Sequence, residues 1–229
     1  MKSTFTDRGY VLHLRPYREH SGLINIFTYQ YGRLNAVVHG IHKNTKRSLY
    51  QLYIPIICTW KGKGDLKQII SIEIKTVRPP LIGKQLLWGL YLNELICKLI
   101  PVYDPYQSVF TAYEKCLNSL TQKEDECSLR YFELSLIQSL GYGLPTSLAD
   151  HVSHFQYYPT KGLCPANQQG IPKEHIQALI ARKIRTQQEL KSSKIILKSI
   201  IEDLLGAQSI QTRKLVTPWS PPSKKDSST

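Results

Sequence analysis

The chain has 229 residues, enough for one large domain or two small ones. Hydrophobic residues make up 41% and aromatic residues 10%, which supplies a packed core and excludes wholesale disorder. No apolar run reaches the roughly 18 residues that a membrane-spanning helix needs. The first seven residues also lack the apolar stretch of a signal peptide, so we expect a cytoplasmic protein.

The net charge of +13 is unevenly distributed. Residues 1–78 hold 13 basic and 4 acidic side chains (net +9), residues 79–160 hold 5 and 8 (net −3), and residues 161–229 hold 12 and 5 (net +7). Two basic ends around a mildly acidic middle attract polyanions, nucleic acid first and anionic membrane second. The alternative is a protein that merely has a high isoelectric point.

The first 78 residues are predicted to form five strands. Apolar and polar residues alternate with a period of two in residues 10–15 and 23–31. Three further strands are predicted for residues 34–39, 52–60 and 66–77, and Gly-containing turns separate them. Five short strands joined in this way favour a small antiparallel barrel. We predict a five-stranded Greek-key barrel of the oligonucleotide-binding type, the OB-fold.

Arg78-Pro79-Pro80 marks a predicted domain boundary, because two prolines end a strand and cannot lie inside a helix. Beyond it the apolar spacing is helical. Helices are predicted for residues 81–100, for a segment capped by Asp104 and opened by Pro105, and for residues 124–140. The predicted fold class is therefore α+β and multidomain: an OB-fold barrel over residues 1–78, then a mainly α-helical domain over residues 79–216.

The last third of the chain is harder to assign. Residues 142–172 are predicted to be an irregular insert, long enough to hold a small subdomain. Helices resume at Pro172 and over residues 189–205, where Gly206 ends the run. Residues 217–229 are rich in Pro, Ser and Lys and are predicted to be a disordered tail.

Basic side chains of the barrel are the candidates for DNA binding. Four of them lie in residues 40–48, between the third and fourth strands, where a basic loop can neutralise phosphates without reading sequence. The alternative is a solvated loop that binds nothing. The full candidate set is Arg15, Arg18, Arg33, His42, Lys43, Lys46, Arg47, Lys61, Lys63 and Lys67.

Aromatic residues are interleaved with these charges. Bases stack on aromatic rings, and Tyr17, Tyr29 and Tyr31 are the better candidates because arginines lie close to them in sequence. Most of the other aromatic residues are expected to pack in the core.

Arg130 is the candidate for binding a partner. It lies three residues before Glu133 on a predicted helix, so an ordinary surface pair is one interpretation. In the other, Arg130 borders an apolar groove and clamps an incoming carboxylate.

No catalytic or metal site stands out. The five cysteines are widely spaced and read as reduced thiols. His151, His154 and Cys164 would leave a structural zinc one ligand short. There is neither a phosphate-binding loop nor a dinucleotide fingerprint. We therefore expect a protein that is not an enzyme and that needs no cofactor or metal.

Several strings, in order along the chain, resemble the RecO family of bacterial DNA repair proteins. The similarity runs from about residue 9 to residue 143 and returns more weakly over residues 204–214. The strings are Gly9–Glu19, Tyr31-Gly32-Arg33, Trp60–Leu66, Gly89–Leu95, Leu129–Leu134 and Leu140–Gly143.

The resemblance implies an OB-fold followed by a helical domain, and a mediator of recombination in the RecF pathway. Members bind single- and double-stranded DNA, anneal complementary strands coated with single-strand-binding protein (SSB), and with RecR promote loading of RecA. Their helical domain receives the acidic, Phe-ending tail of SSB. By motif, Arg130 would bind the terminal carboxylate of that tail, with the carboxylate as the hydrogen-bond acceptor. Some members hold a four-cysteine zinc site; with Cys164 alone in that region, this chain resembles the zinc-free branch.

Two alternatives remain open at this point. One is an RNA-binding OB-fold module of translation or ribosome assembly. The other is a nuclease or nucleotidyl enzyme with dispersed acidic residues, against which the few carboxylates of residues 1–78 count.

Overall fold

The N-terminal part of the chain forms a closed five-stranded barrel. The computed structural model describes residues 4–40, 48–145 and 147–215. The strands are β1 (Thr4–Tyr17), β2 (Ser21–Thr28), β3 (Gly32–His39), β4 (Pro55–Lys61) and β5 (Lys67–Ile74), in the order β1-β2-β3-β5-β4. All pairs are antiparallel except β3 with β5. The OB-type barrel predicted from the alternating pattern is confirmed.

The alternation fills the barrel with apolar side chains. Val11, Ile24, Leu34, Ile56 and Trp60 are each at most 1% exposed and belong to one interior cluster. Pro55 is the first residue of β4. This position suits proline because the ring cannot donate to the ladder.

Three helices follow the barrel: α1 (Gly83–Leu99), α2 (Gln107–Gln122) and α3 (Glu126–Ser139). Asp125 caps α3 by accepting a hydrogen bond from the Ser128 amide at 3.3 Å. The predicted start of α2 is wrong. The residue preceding α2 is Tyr106, and Asp104 and Pro105 lie in the loop before it.

Residues 142–172 are not irregular throughout. They contain β6 (His154–Tyr158), β7 (Gly162–Ala166) and β8 (Ile171–Pro172), in the order β7-β6-β8. Phe155 on β6 is buried in the helical core, which anchors the small sheet. Strands of two to five residues are too short for a period of two to stand out in the sequence.

The chain then forms α4 (Lys173–Ile180), α5 (Gln187–Leu205) and the short α6 (Thr212–Leu215). Gly206 ends α5 with φ of 56°, as the sequence predicted. The domain limits at 78/79 and 216/217 stay a prediction, and the predicted tail, residues 217–229, lies outside the described residues.

The barrel packs directly on the helices. Tyr10 and Phe27, on the outside of the barrel, contact Phe110 and Tyr113 of α2 with ring centres 5.3 to 6.2 Å apart. The buried Asn93 of α1 donates to the carbonyl of Leu12 at 2.9 Å. A shared core of this kind holds the surfaces of the two parts in a defined relation.

Candidate nucleic-acid and peptide-binding surfaces

Five of the predicted DNA-binding residues form two groups, at the β1–β2 and the β4–β5 connections of the barrel. Arg15 and Arg18 are exposed and lie at the β1–β2 end. Lys61, Lys63 and Lys67 lie at the β4–β5 end. Arg15 and Lys61 lie on one hydrogen-bonded ladder, separated by four strand spacings of roughly 4.8 Å each, so the two groups do not share one phosphate.

Arg33 has a different role in this structure. Its Nε donates to the carbonyl of Ile100 at 3.0 Å and one terminal nitrogen donates to Asn25 at 3.3 Å. The side chain therefore joins β3 to the end of α1. His42, Lys43, Lys46 and Arg47 lie outside the described residues.

Aromatic rings surround a cavity at the β4–β5 end. The cavity has a volume of about 350 Å³, and Phe5, Tyr31, Trp60 and Tyr103 contribute to its wall. Lys63 and Lys67 also line it, and Lys67 Nζ lies 4.5 Å from the centre of the Tyr103 ring. Aromatic surface beside cationic side chains can take an unstacked base and its phosphate.

The other two tyrosines singled out from the sequence lie elsewhere. The guanidinium of Arg8 lies 4.2 Å from the centre of the Tyr29 ring, and this ring packs against Phe110. Arg18 lies 5.1 Å from the ring centre of Tyr17. Of the three, Tyr31 is the one that lines the aromatic cavity.

A second groove lies among the helices and is called here the helical groove. It has a volume of about 300 Å³ and contains Arg130. Apolar surface comes from three residues, four basic side chains surround it, and one carboxylate is present. Its lining residues are Trp88, Tyr91, Leu129, Arg130, Lys194, Lys198, Arg213 and Glu126.

Arg130 pairs with Glu133 in the interior and not at the surface, and it also lines the helical groove; its binding of an incoming carboxylate stays a prediction. Arg130 forms an ion pair with Glu133 at 3.0 Å, and the two side chains are 7% and 0% exposed. Tyr91 donates to the same Glu133 oxygen at 2.6 Å, and Arg213 donates to the Tyr91 hydroxyl at 3.3 Å. The pKa of Tyr91 is raised by its burial and by the adjacent Glu133, so it stays a hydrogen-bond donor at neutral pH.

Arg213 and the two lysines were missed by the sequence analysis. Arg213 is 122 residues from Tyr91, so no local spacing connects them. Lys194 and Lys198 are four residues apart on α5, which places them on one face of that helix. That spacing was the available signal, but it did not indicate which helix the basic face would meet.

Comparison with known proteins decides the family. The family model Recombination protein O N terminal matches residues 1–78, and Recombination protein O C terminal matches residues 83–154. The chain is 34% identical over 231 residues to the DNA repair protein RecO of Cellvibrio japonicus, which covers 93% of this chain and 97% of that protein. The identity is 30% over 226 residues with the RecO of Aliivibrio salmonicida, covering 93% and 95%. The chain belongs to the RecO family.

Membership in the RecO family confirms the resemblance seen in the sequence. It makes the chain a DNA repair and recombination protein, of a family of mediators and not of enzymes. The C-terminal family model ends at residue 154, so most of the small sheet lies beyond it. Within the described ranges there is no group of three or more His, Cys, Asp or Glu side chains placed to hold a metal. No described helix is long and apolar enough to cross a membrane.

Proposed function

We propose that this member of the RecO family is a cytoplasmic mediator of the RecF pathway that pairs DNA strands without chemical change to them. It binds single- and double-stranded DNA, anneals complementary strands coated with SSB, and with RecR promotes loading of RecA. The observation that carries the proposal is the presence of two cationic groups, at the β1–β2 and β4–β5 connections of the barrel, in a chain of this family. Strand pairing then follows from charge neutralisation and from raised local concentration.

The two cationic groups of the barrel suit different features of DNA. The β1–β2 end offers the exposed guanidinium groups of Arg15 and Arg18, which contact phosphates on either one strand or two. The β4–β5 end adds the aromatic cavity, which has room for a single unstacked base. A strand held by phosphates and an occasional base keeps most of its bases free for pairing.

The helical groove suits the SSB tail. The tail is acidic and ends in Phe, so it needs cations around an apolar floor. The half-buried Trp88 supplies apolar surface, and Lys194 and Lys198 are exposed beside it. Arg130 is assigned to the terminal carboxylate, since guanidinium groups bind carboxylates through paired hydrogen bonds.

A salt titration tests the DNA-binding part. We expect affinity for an oligonucleotide to fall linearly with salt on logarithmic axes, with a slope near 0.9 for each duplex phosphate neutralised. Lys63→Ala should reduce that slope, whereas the matched variant Lys123→Ala, exposed on the helical side, should leave it unchanged. Affinity that does not depend on salt would contradict phosphate contacts.

An annealing assay separates this function from its alternatives. Complementary strands coated with SSB should pair faster when the protein is added. RNA of the same sequence, bound more tightly and without annealing of the DNA, would favour the RNA-binding module. Cleavage products in the presence of divalent metal would contradict the proposal.

A further inference from the structure

The short helix α6 is held against α1 by one carboxylate. Glu94 accepts hydrogen bonds from the Gln211 amide at 2.8 Å, from the Thr212 amide at 2.8 Å and from the Thr212 hydroxyl at 2.7 Å. Lys98 lies 3.7 Å from the same carboxylate. Burial by itself would raise the pKa of Glu94, but these interactions stabilise the charged form more strongly and the pKa is lowered. The attachment is therefore charge-assisted.

Besides these bonds, α6 is attached by the two hydrogen bonds that Arg213 donates, to Glu202 and to Tyr91. It has four residues, far fewer than an independently stable helix requires. Its last residue, Leu215, is 61% exposed and so contributes little apolar burial. The hydrogen bonds to Glu94 join both the entry of α6 and its first residue to α1, so they contribute to the position of α6.

This placement carries Arg213 into the helical groove. Arg213 donates to Glu202 at 2.8 Å and to the Tyr91 hydroxyl at 3.3 Å. Tyr91 donates in turn to Glu133, the partner of Arg130. The two guanidinium groups are thus connected through one tyrosine and one carboxylate, and both line the same groove.

Arg213 is the more accessible of the two. The Arg130 side chain is 7% exposed, and its Nε is buried with no partner among the described residues. The Arg213 side chain is 27% exposed. Guanidinium has five N–H donors, and the bonds to Glu202 and Tyr91 described above use two of them. A carboxylate entering the groove has two oxygens, so it can accept from both arginines.

We propose that α6 is a clasp that adds Arg213 to the helical groove as a second ligand for the terminal carboxylate of a bound peptide, and that Glu94 is its positioning residue. The inference rests on the proposed binding of the SSB tail. In this proposal, Arg130 and Arg213, from distant parts of the sequence, both bind the terminal carboxylate. Arg213 lines the groove only while α6 is packed against α1.

The test uses the full chain and a labelled acidic peptide that ends in Phe with a free carboxylate, measured by fluorescence anisotropy. Arg213→Ala should weaken binding about ten-fold or more, as for a lost hydrogen bond to a charged group. Arg213→Lys should recover part of the loss. With the same peptide ending in a C-terminal amide, the effect of Arg213→Ala should shrink.

Glu94→Gln tests the positioning role. It should weaken binding by less than Arg213→Ala, because opening the clasp can remove no more than what Arg213 contributes. In the Arg213→Ala background the effect of Glu94→Gln should vanish. Thr212→Val removes one of the three bonds and should give a smaller effect of the same sign. Glu73→Gln, the same exchange at an exposed site on β5, is the matched control and should change nothing.

The outcomes separate the two proposals. If the wild-type chain does not bind the peptide, tail binding itself is refuted. If the wild type binds but Arg213→Ala binds equally well, the clasp is refuted and tail binding stands. If the effects of Glu94→Gln and Arg213→Ala simply add, Glu94 does not act through Arg213.

Discussion

The buried pair of Arg130 and Glu133 allows stability and binding to be separated. Arg130→Met keeps most of the side-chain volume and removes the charge. It leaves the fully buried Glu133 carboxylate with Tyr91 as its remaining hydrogen-bond partner among the described residues. Breaking a buried pair from one side costs about 3–5 kcal/mol in the free energy of unfolding. For a chain of this length each kcal/mol lowers Tm by about 2–4 °C, so we expect a decrease of roughly 6–20 °C.

Removing both charges should cost less than removing one. In the double variant Arg130→Met with Glu133→Gln, the new amide oxygen can still accept the hydrogen bond of Tyr91. What remains is one unpaired buried NH2 group, which carries two N–H donors and costs about 1–3 kcal/mol. The two single variants should therefore be strongly non-additive in a double-mutant cycle, as expected for residues in direct contact. Arg185→Met, at an exposed position before α5, is the control and should have little effect on Tm.

Peptide affinity should follow a different pattern from stability. Arg130→Met should weaken binding of the acidic peptide by about ten-fold or more, and the double variant should show the same loss although its stability recovers. Thermal denaturation and fluorescence anisotropy on the same samples provide the two measurements. A double variant that binds like wild type would show that Arg130 is only structural, and additive stability losses would refute the buried pair.

Three further predictions concern other parts of the chain. Gly32→Ala should lower stability by at least about 2 kcal/mol in thermal denaturation, because φ is +70° and a Cβ would collide with the backbone of Asp104; an unchanged Tm would refute that close packing. Tyr31→Ala should reduce affinity for single strands by about 1–3 kcal/mol and leave duplex affinity nearly unchanged, and equal losses for both would argue against base stacking in the aromatic cavity. Because the pKa of Glu94 is lowered from 4.5, its contribution to stability is complete above pH 4.5 and is lost as the pH falls through the lowered value; Glu94→Gln should therefore flatten that part of the acid denaturation curve.

The fold was largely predictable because most of its elements are amphipathic over several periods. In the barrel, residues such as Ile24 and Ile26 alternate with less buried neighbours, so a period of two suffices to find the strands. The small sheet around Phe155 is too short for such a signal. The start of α2 was misplaced because Asp104-Pro105 has the composition of a helix start. In the structure it belongs to the loop that connects α1 to α2, where Asp104 packs against Gly32 of the barrel.

The candidate sites were less predictable, because tertiary contacts decide what a charged side chain does. Arg33 and Arg15 look alike in sequence, yet Arg33 donates to Ile100 and Asn25 whereas Arg15 is exposed. Arg130 was found through a motif, but the burial of its partner Glu133 was not foreseen. Arg213 could not be connected to Arg130 by any local pattern, since Glu94, which holds α6 in place, lies 118 residues before Thr212.

The candidate DNA-binding residues and the helical groove lie on different elements because of the way in which the barrel and the helices share a core. Tyr10 and Phe27 project from the outer wall of the barrel and pack on α2, so the helices cover this wall, whereas Arg15, Arg18 and Lys63 stay exposed. The helical groove is formed on other elements, mainly α1, α3 and α5. Because Lys63 and Arg130 share no partner in the described structure, variants at these positions should act additively, one on DNA and one on peptide. Under the proposed function, the shared core would keep the two sites at a fixed spacing, so that binding of the SSB tail would raise the concentration of its DNA at the barrel.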